Sequence, residues 1–128
     1  MNLQKNPYFI HQWIWIVVAL AINIYSYVRI ESGTSGLTKT SPEGGILIFL
    51  VYVPFLVLGQ LGWRRTYLAG TAAFVVLIAF GGILRHLATA LEPGGLDAYA
   101  STLWWAIAIV VNCYGVSMSG MAMLRMQR

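Results

Sequence analysis

Four stretches of this chain, at about 9–30, 45–63, 67–91 and 99–124, are each long and apolar enough to cross a bilayer. A crossing helix needs about 20 predominantly apolar residues. In hydrocarbon every backbone N–H and C=O must also be satisfied internally, which a helix achieves and an open strand does not. Those stretches take up most of the 128 residues. Little remains for a water-soluble domain, so the chain reads as a single four-helix transmembrane domain over 1–128. Charged residues make up 9% of the chain, against about 25% in soluble domains. The expected fold class is all-α integral membrane: four transmembrane helices in an antiparallel bundle, with both termini cytoplasmic.

Local signals mark where the helices start and stop. Asn6-Pro7 suits a helix start, with Asn6 as cap and Pro7 at the first position, where a missing N–H costs nothing. Trp13 and Trp15 near one end of the first span, and Tyr25 and Tyr27 near the other, fit the two aromatic belts of a bilayer. A cleaved signal peptide is the competing reading of this segment, but its apolar run is too long and no clean cleavage motif follows. From Glu31 to Gly45 the chain turns polar, in a loop of about 14 residues where about 4–6 is usual. Ser41-Pro42-Glu43 opens the second helix as cap, first-position proline and first-turn acid. Pro54 falls mid-span, where it removes the donor for the carbonyl of Leu50 and predicts a kink, packing feature or hinge. Trp63-Arg64-Arg65-Thr66 allows only a tight turn, with Thr66 as cap of the third helix. Glu92-Pro93-Gly94-Gly95 ends that helix, and Asp97 is positioned to cap the fourth.

Lysine and arginine give the orientation. Lys5, Arg64, Arg65, Arg125 and Arg128 belong to one side. Arg29, Lys39 and Arg85 belong to the other, where Glu31, Glu43, Glu92 and Asp97 offset them. The positive-inside rule then places both termini in the cytoplasm, in what reads as a bacterial inner membrane. The net charge of +4 comes from these scattered residues rather than from a basic patch, so no nucleic-acid partner is expected.

The fourth stretch carries a stripe of small and polar residues: Ala108, Asn112, Gly115, Ser119 and Ala122, spaced four, three, four, three. In lipid, small residues let backbones approach and amides bond across helices, so the stripe marks a packing seam. The first span has a matching stripe in Ala19, Asn23 and Ser26. Antiparallel pairing sets Asn23 against Asn112, Ala19 against Gly115 and Ser26 against Ala108. Both asparagines lie roughly 18 Å from the cytoplasmic ends of their spans. They serve either the seam or a polar pathway.

The inventory of chemical groups is short. His11 and His86 are the two histidines. With roughly 25 Å of rise between them they cannot clamp one haem in a protomer. Each could contact a pigment or quinone, and the bland alternative is an interfacial histidine bonded to water, headgroup or backbone. Arg85 can meet Glu31, Glu92 or Asp97 at the outer surface, or snorkel. All four acids sit in or beside the outer loops, which counts against a proton-coupled exporter that needs a midplane carboxylate. Cys113 is alone, metal-ligand spacing is missing, and no nucleophile has a base at its depth, so neither a metal site nor enzymatic activity is expected.

Two functions remain. In the first, the chain is a non-catalytic accessory subunit of a larger integral-membrane complex of respiratory or photosynthetic type. Its partners would be lipids and other integral-membrane subunits, with possible lipid, quinone or pigment contact and no cofactor required by the sequence. In the second, it is a small homo-oligomeric channel or transporter with a path lined by Asn23, Gln60 and Asn112.

Overall fold

The computed structural model describes residues 6–127. These residues are all-helical, with no strand. Helix α1 runs Tyr8–Glu31, α2 runs Pro42–Gln60, α3 runs Arg64–Leu91, and α4 runs Thr102–Gln127. Each is long and apolar enough to cross a membrane. A short 3-10 turn, Gly95–Ala98, precedes α4. Lys5 and Arg128, two of the topology signals, lie outside the described residues.

Glycines in left-handed backbone close two of the helices. Gly33 (φ 83°) follows α1 and Gly62 (φ 94°) follows α2. At the second, the Trp63 N–H reaches the Leu58 carbonyl at 2.9 Å and the Gly62 N–H reaches Gly59 at 3.2 Å. This is the paired 6→1 and 5→2 pattern that satisfies terminal carbonyls, and it requires a residue without a Cβ penalty at the left-handed position. The stop is so abrupt that α3 starts at Arg64, and Thr66, expected as its cap, lies inside the helix.

Ser41 caps α2 as expected: its Oγ accepts from the Gly44 N–H at 3.2 Å and donates to the Glu43 carboxylate at 2.8 Å. The cap makes α2 begin at Pro42, three residues before the apolar run. Asn6 accepts the Tyr8 N–H on Oδ1 at 3.1 Å. At α4, Ser101 rather than Asp97 meets the first turn, since the Trp104 N–H points to Ser101 Oγ at 3.4 Å. Asp97 is taken up in the 3-10 turn, and Tyr99 is extended (φ −113°, ψ 151°), which delays the helix. The Ala100 N–H donates to the Leu37 carbonyl at 3.1 Å, and the Leu37 N–H donates to Ser26 Oγ at 2.9 Å. The polar loop after α1 is thereby pinned down by a fully buried leucine.

Helices α1 and α3 each pack on both α2 and α4. Between them lies an aromatic layer. Trp15 meets Phe49 edge-on (centroids 5.4 Å, 89°), and Tyr52 stacks on Phe74 (4.1 Å, 4°). The outer faces are apolar too: Ile10, Val17, Leu47, Leu50, Val76 and Val110 are each more than half exposed. Apolar surface on that scale suits lipid, not water.

Candidate functional site

The α4 stripe lies inside the fold. Ala108, Gly115, Ser119 and Ala122 are buried and Asn112 is half-buried. Its register against α1 differs from the expected one by about one helical turn. Gly115 faces Trp15, not Ala19: a Cβ on Gly115 would overlap the Trp15 indole. Gln12 Nε2 donates to Ser119 Oγ at 3.0 Å, and Asn6 Nδ2 donates to the Ala122 carbonyl at 3.2 Å. Ser26 bonds the loop instead of facing Ala108. The reason is steric, since the bulkiest side chain of α1 needs the gap left by the smallest residue of α4.

The Asn23–Asn112 bond is likewise replaced. Asn23 Nδ2 donates to the Ala19 carbonyl of its own helix at 2.8 Å. Asn112 Nδ2 donates to the Gly82 carbonyl of α3 at 3.0 Å. That carbonyl lies in a π-helical turn, Ala79–Leu84, where the Arg85 N–H reaches back five residues to Phe80. Such a turn departs from the regular i→i−4 ladder. Gly82 is needed there because a Cβ would meet Asn112 Nδ2 at 2.7 Å. Asn112→Leu is therefore expected to cost about 1 kcal/mol through the lost interhelical bond to the Gly82 carbonyl. Asn23→Ala, which strands no group on another helix and adds no bulk against Gly45, should cost less. Thermal loss of monodisperse elution in detergent measures both, and equal costs would remove the interhelical role of Asn112.

Next to this turn the four helices part around a cavity of about 260 Å³. Ala19 and Asn23 of α1, Gly44 and Gly45 of α2, Gly81, Gly82, Arg85 and His86 of α3, and Ala108 and Asn112 of α4 line it. Thr38, Thr40 and Ser41 border it from the loop, while Phe49 and Ile78 link it to the aromatic layer. Both midplane asparagines thus belong to one cavity although they do not bond each other. Gln60 is not part of its wall.

His86 is 3% exposed, and its Nδ1 lies 2.6 Å from the Tyr99 hydroxyl. Burial pushes the Tyr99 phenol up from its ordinary pKa, so the hydroxyl keeps its proton and can donate. With Tyr99 donating, Nδ1 accepts, and a neutral ring carries its proton on Nε2, which has no protein partner. Trp105 Nε1 holds the His86 carbonyl at 2.8 Å. His11 is elsewhere, with Nδ1 2.7 Å from the Tyr114 hydroxyl. Arg85 enters none of the expected pairs. Glu92 meets Lys39 at 3.5 Å instead, the ion pair found among the described residues.

Pro54 sits on an exposed face of α2, which runs unbroken from Pro42 to Gln60. The departure from α geometry lies in α3 instead, in the π turn that contains Gly81-Gly82.

A second polar cluster lies on the other side of the aromatic layer, and sequence reasoning missed it. Gln12 is fully buried and joins every helix. Its Nε2 donates to Tyr52 Oη at 2.9 Å and to Ser119, and its Oε1 accepts from Tyr67 Oη at 3.0 Å. Both amide protons are then used, which leaves the Tyr52 hydroxyl to donate to Thr71 Oγ1 at 3.1 Å. Polar residues inside four apolar runs, with Tyr67 and Thr71 one turn apart, were the available signal.

Comparison with protein-family models, with curated proteins and with solved structures finds no match for this chain.

Proposed function

We propose that this chain is a non-catalytic accessory subunit of a larger integral-membrane assembly, and that its cavity receives part of a lipid, quinone or pigment molecule. The cavity is the observation that carries this reading. Elsewhere the helices close on one another until glycine is the only residue that fits, as where Gly115 faces Trp15 and Gly70 faces Phe55. Here the helices leave space between them, and Asn23, Asn112, His86 and Arg85 border it. Such a mix of apolar wall and few polar groups suits a small amphiphile.

The channel reading has less support. The packed rings of Trp15, Phe49, Tyr52 and Phe74 stand next to the cavity, so a polar path from Asn23 and Asn112 toward Gln60 would cross a dry layer.

Purification in mild detergent tests the proposal. Unlike subunits and an extractable amphiphile are expected to co-elute with the wild-type chain. Gly81→Leu should lose the amphiphile while still folding, because Gly81 borders the cavity and a Cβ there would meet nothing within 4 Å. A wild-type protein that elutes alone and without extractable ligand overturns the reading.

The orientation proposed with it is an antiparallel bundle in a bacterial inner membrane with both termini cytoplasmic. Contacts between the start of α1 and the end of α4 support the antiparallel part, as at Asn6–Ala122 and Gln12–Ser119. Arg64, Arg65 and Arg125 supply the positive-inside signal. Reporter fusions after the last residue should be active only as cytoplasmic reporters, and periplasmic activity there would reverse the threading.

A further inference from the structure

We propose that the cavity recognises an anionic headgroup, a carboxylate or a phosphate, carried by a single-chain amphiphile. The inference rests on the cavity being a ligand site, as argued above, and adds the charge and shape of its occupant.

Three observations converge on it. First, the cavity wall holds a cation and no acid among the described residues. Arg85 lines it without an ion-pair partner, whereas Glu92 is engaged by Lys39 and Glu43 stands fully exposed beside Ser41. A guanidinium presents a planar fork of donors that matches carboxylate and phosphate oxygens. Second, His86 is almost completely buried at the same wall, tethered through Nδ1 to Tyr99, and left with Nε2 unpartnered. That ring nitrogen has no protein partner, and as an N–H it can donate to an anionic oxygen. Third, the first turn of α2 borders the space through Ser41, Gly44 and Gly45. A helix start adds positive potential that favours an anion.

Size and remaining wall set the rest of the ligand. Ligand pockets commonly run about 300–1,000 Å³, so about 260 Å³ holds a small head and the first methylenes, and not a two-chain phospholipid. Ile48, Leu77 and Val111 supply apolar contact for those methylenes.

The test uses the full chain in nanodiscs of zwitterionic phosphatidylcholine, with quenching of tryptophan fluorescence as the readout. Trp105 stands against His86 and reports on that wall. The probes are 9,10-dibromostearic acid, its methyl ester, and a lysophosphatidic acid with the same brominated chain. Saturable quenching by the acid is expected, with the ester about tenfold weaker, a difference of about 1.4 kcal/mol. Tighter binding of the lysophosphatidic acid identifies phosphate as the preferred head, and tighter binding of the fatty acid identifies carboxylate; either result upholds the proposal. Arg85→Gln should erase the gap between acid and ester, and Arg85→Lys should keep part of it. The wild-type comparison stands even where a variant folds poorly. Equal binding of acid and ester overturns the anionic headgroup but leaves the cavity as a ligand site. No saturable quenching by any probe overturns both.

Discussion

Leucine in place of Gly115 is expected to disrupt the bundle, while leucine in place of Gly120 on the same helix is expected to be tolerated. A Cβ at Gly115 would already overlap the indole of Trp15, and one at Gly120 meets nothing within 4 Å. The indole has nowhere to go. Trp15 is fully buried, with Phe49 at 5.4 Å, Phe74 at 5.5 Å and Tyr52 at 6.5 Å between centroids. Overpacking a core typically costs about 1–3 kcal/mol when neighbours can shift. Here the neighbour is a rigid ring inside an aromatic layer, so Gly115→Leu should reach or pass the upper end of that range. Gly120→Leu should stay within about 0.5 kcal/mol. Insertion level and the thermal midpoint of monodisperse elution measure both. Matching behaviour of the two variants would mean that α1 and α4 do not meet at Gly115.

That contrast also shows how far the sequence could be read. Four apolar windows are enough to locate four helices, because the bilayer imposes length and composition together. Ser41-Pro42-Glu43 announced its helix start because cap, proline and acid act within one turn. The α4 stripe was legible as a seam for the same reason: small residues at heptad spacing have no other common use in lipid. Its partner was not legible. Matching small to small put Ala19 opposite Gly115, but a glycine gap is most valuable to a large neighbour, and only three-dimensional packing shows that Trp15 takes it. The cavity was hidden more deeply. It lies beside a π turn in α3 whose Gly82 carbonyl accepts from Asn112, and Gly81-Gly82 alone does not announce such a turn. The same turn ends just before Arg85 and His86, two residues that sequence reasoning assigned to the membrane surface. Both border the cavity, Arg85 as an exposed residue and His86 as a buried one.

The second large effect is expected at Gln12. Gln12→Leu keeps similar bulk but removes every donor and acceptor from the centre of a cluster that joins α1 to α2, α3 and α4. The hydroxyls of Tyr52, Tyr67 and Ser119 would each lose a partner in a space closed to water. Interhelical hydrogen bonds in membranes average about 0.6 kcal/mol and reach about 1.7. Three lost together should therefore cost roughly 2–4 kcal/mol, since stranded buried groups fall at the costly end. The pattern matters more than the total. Ser119→Ala removes the Gln12 contact and should cost under about 1 kcal/mol. Combined with Gln12→Leu it should add almost nothing, because Ser119 has already lost that partner. Well-separated mutations add to within about 0.3–0.5 kcal/mol, so a shortfall beyond that range is the signature of direct coupling. Steric-trap or denaturant unfolding of the two single variants and the double variant gives the three values. Simple additivity would place Gln12 and Ser119 in separate environments, and the cluster could then no longer be what sets the register of α1 against α4.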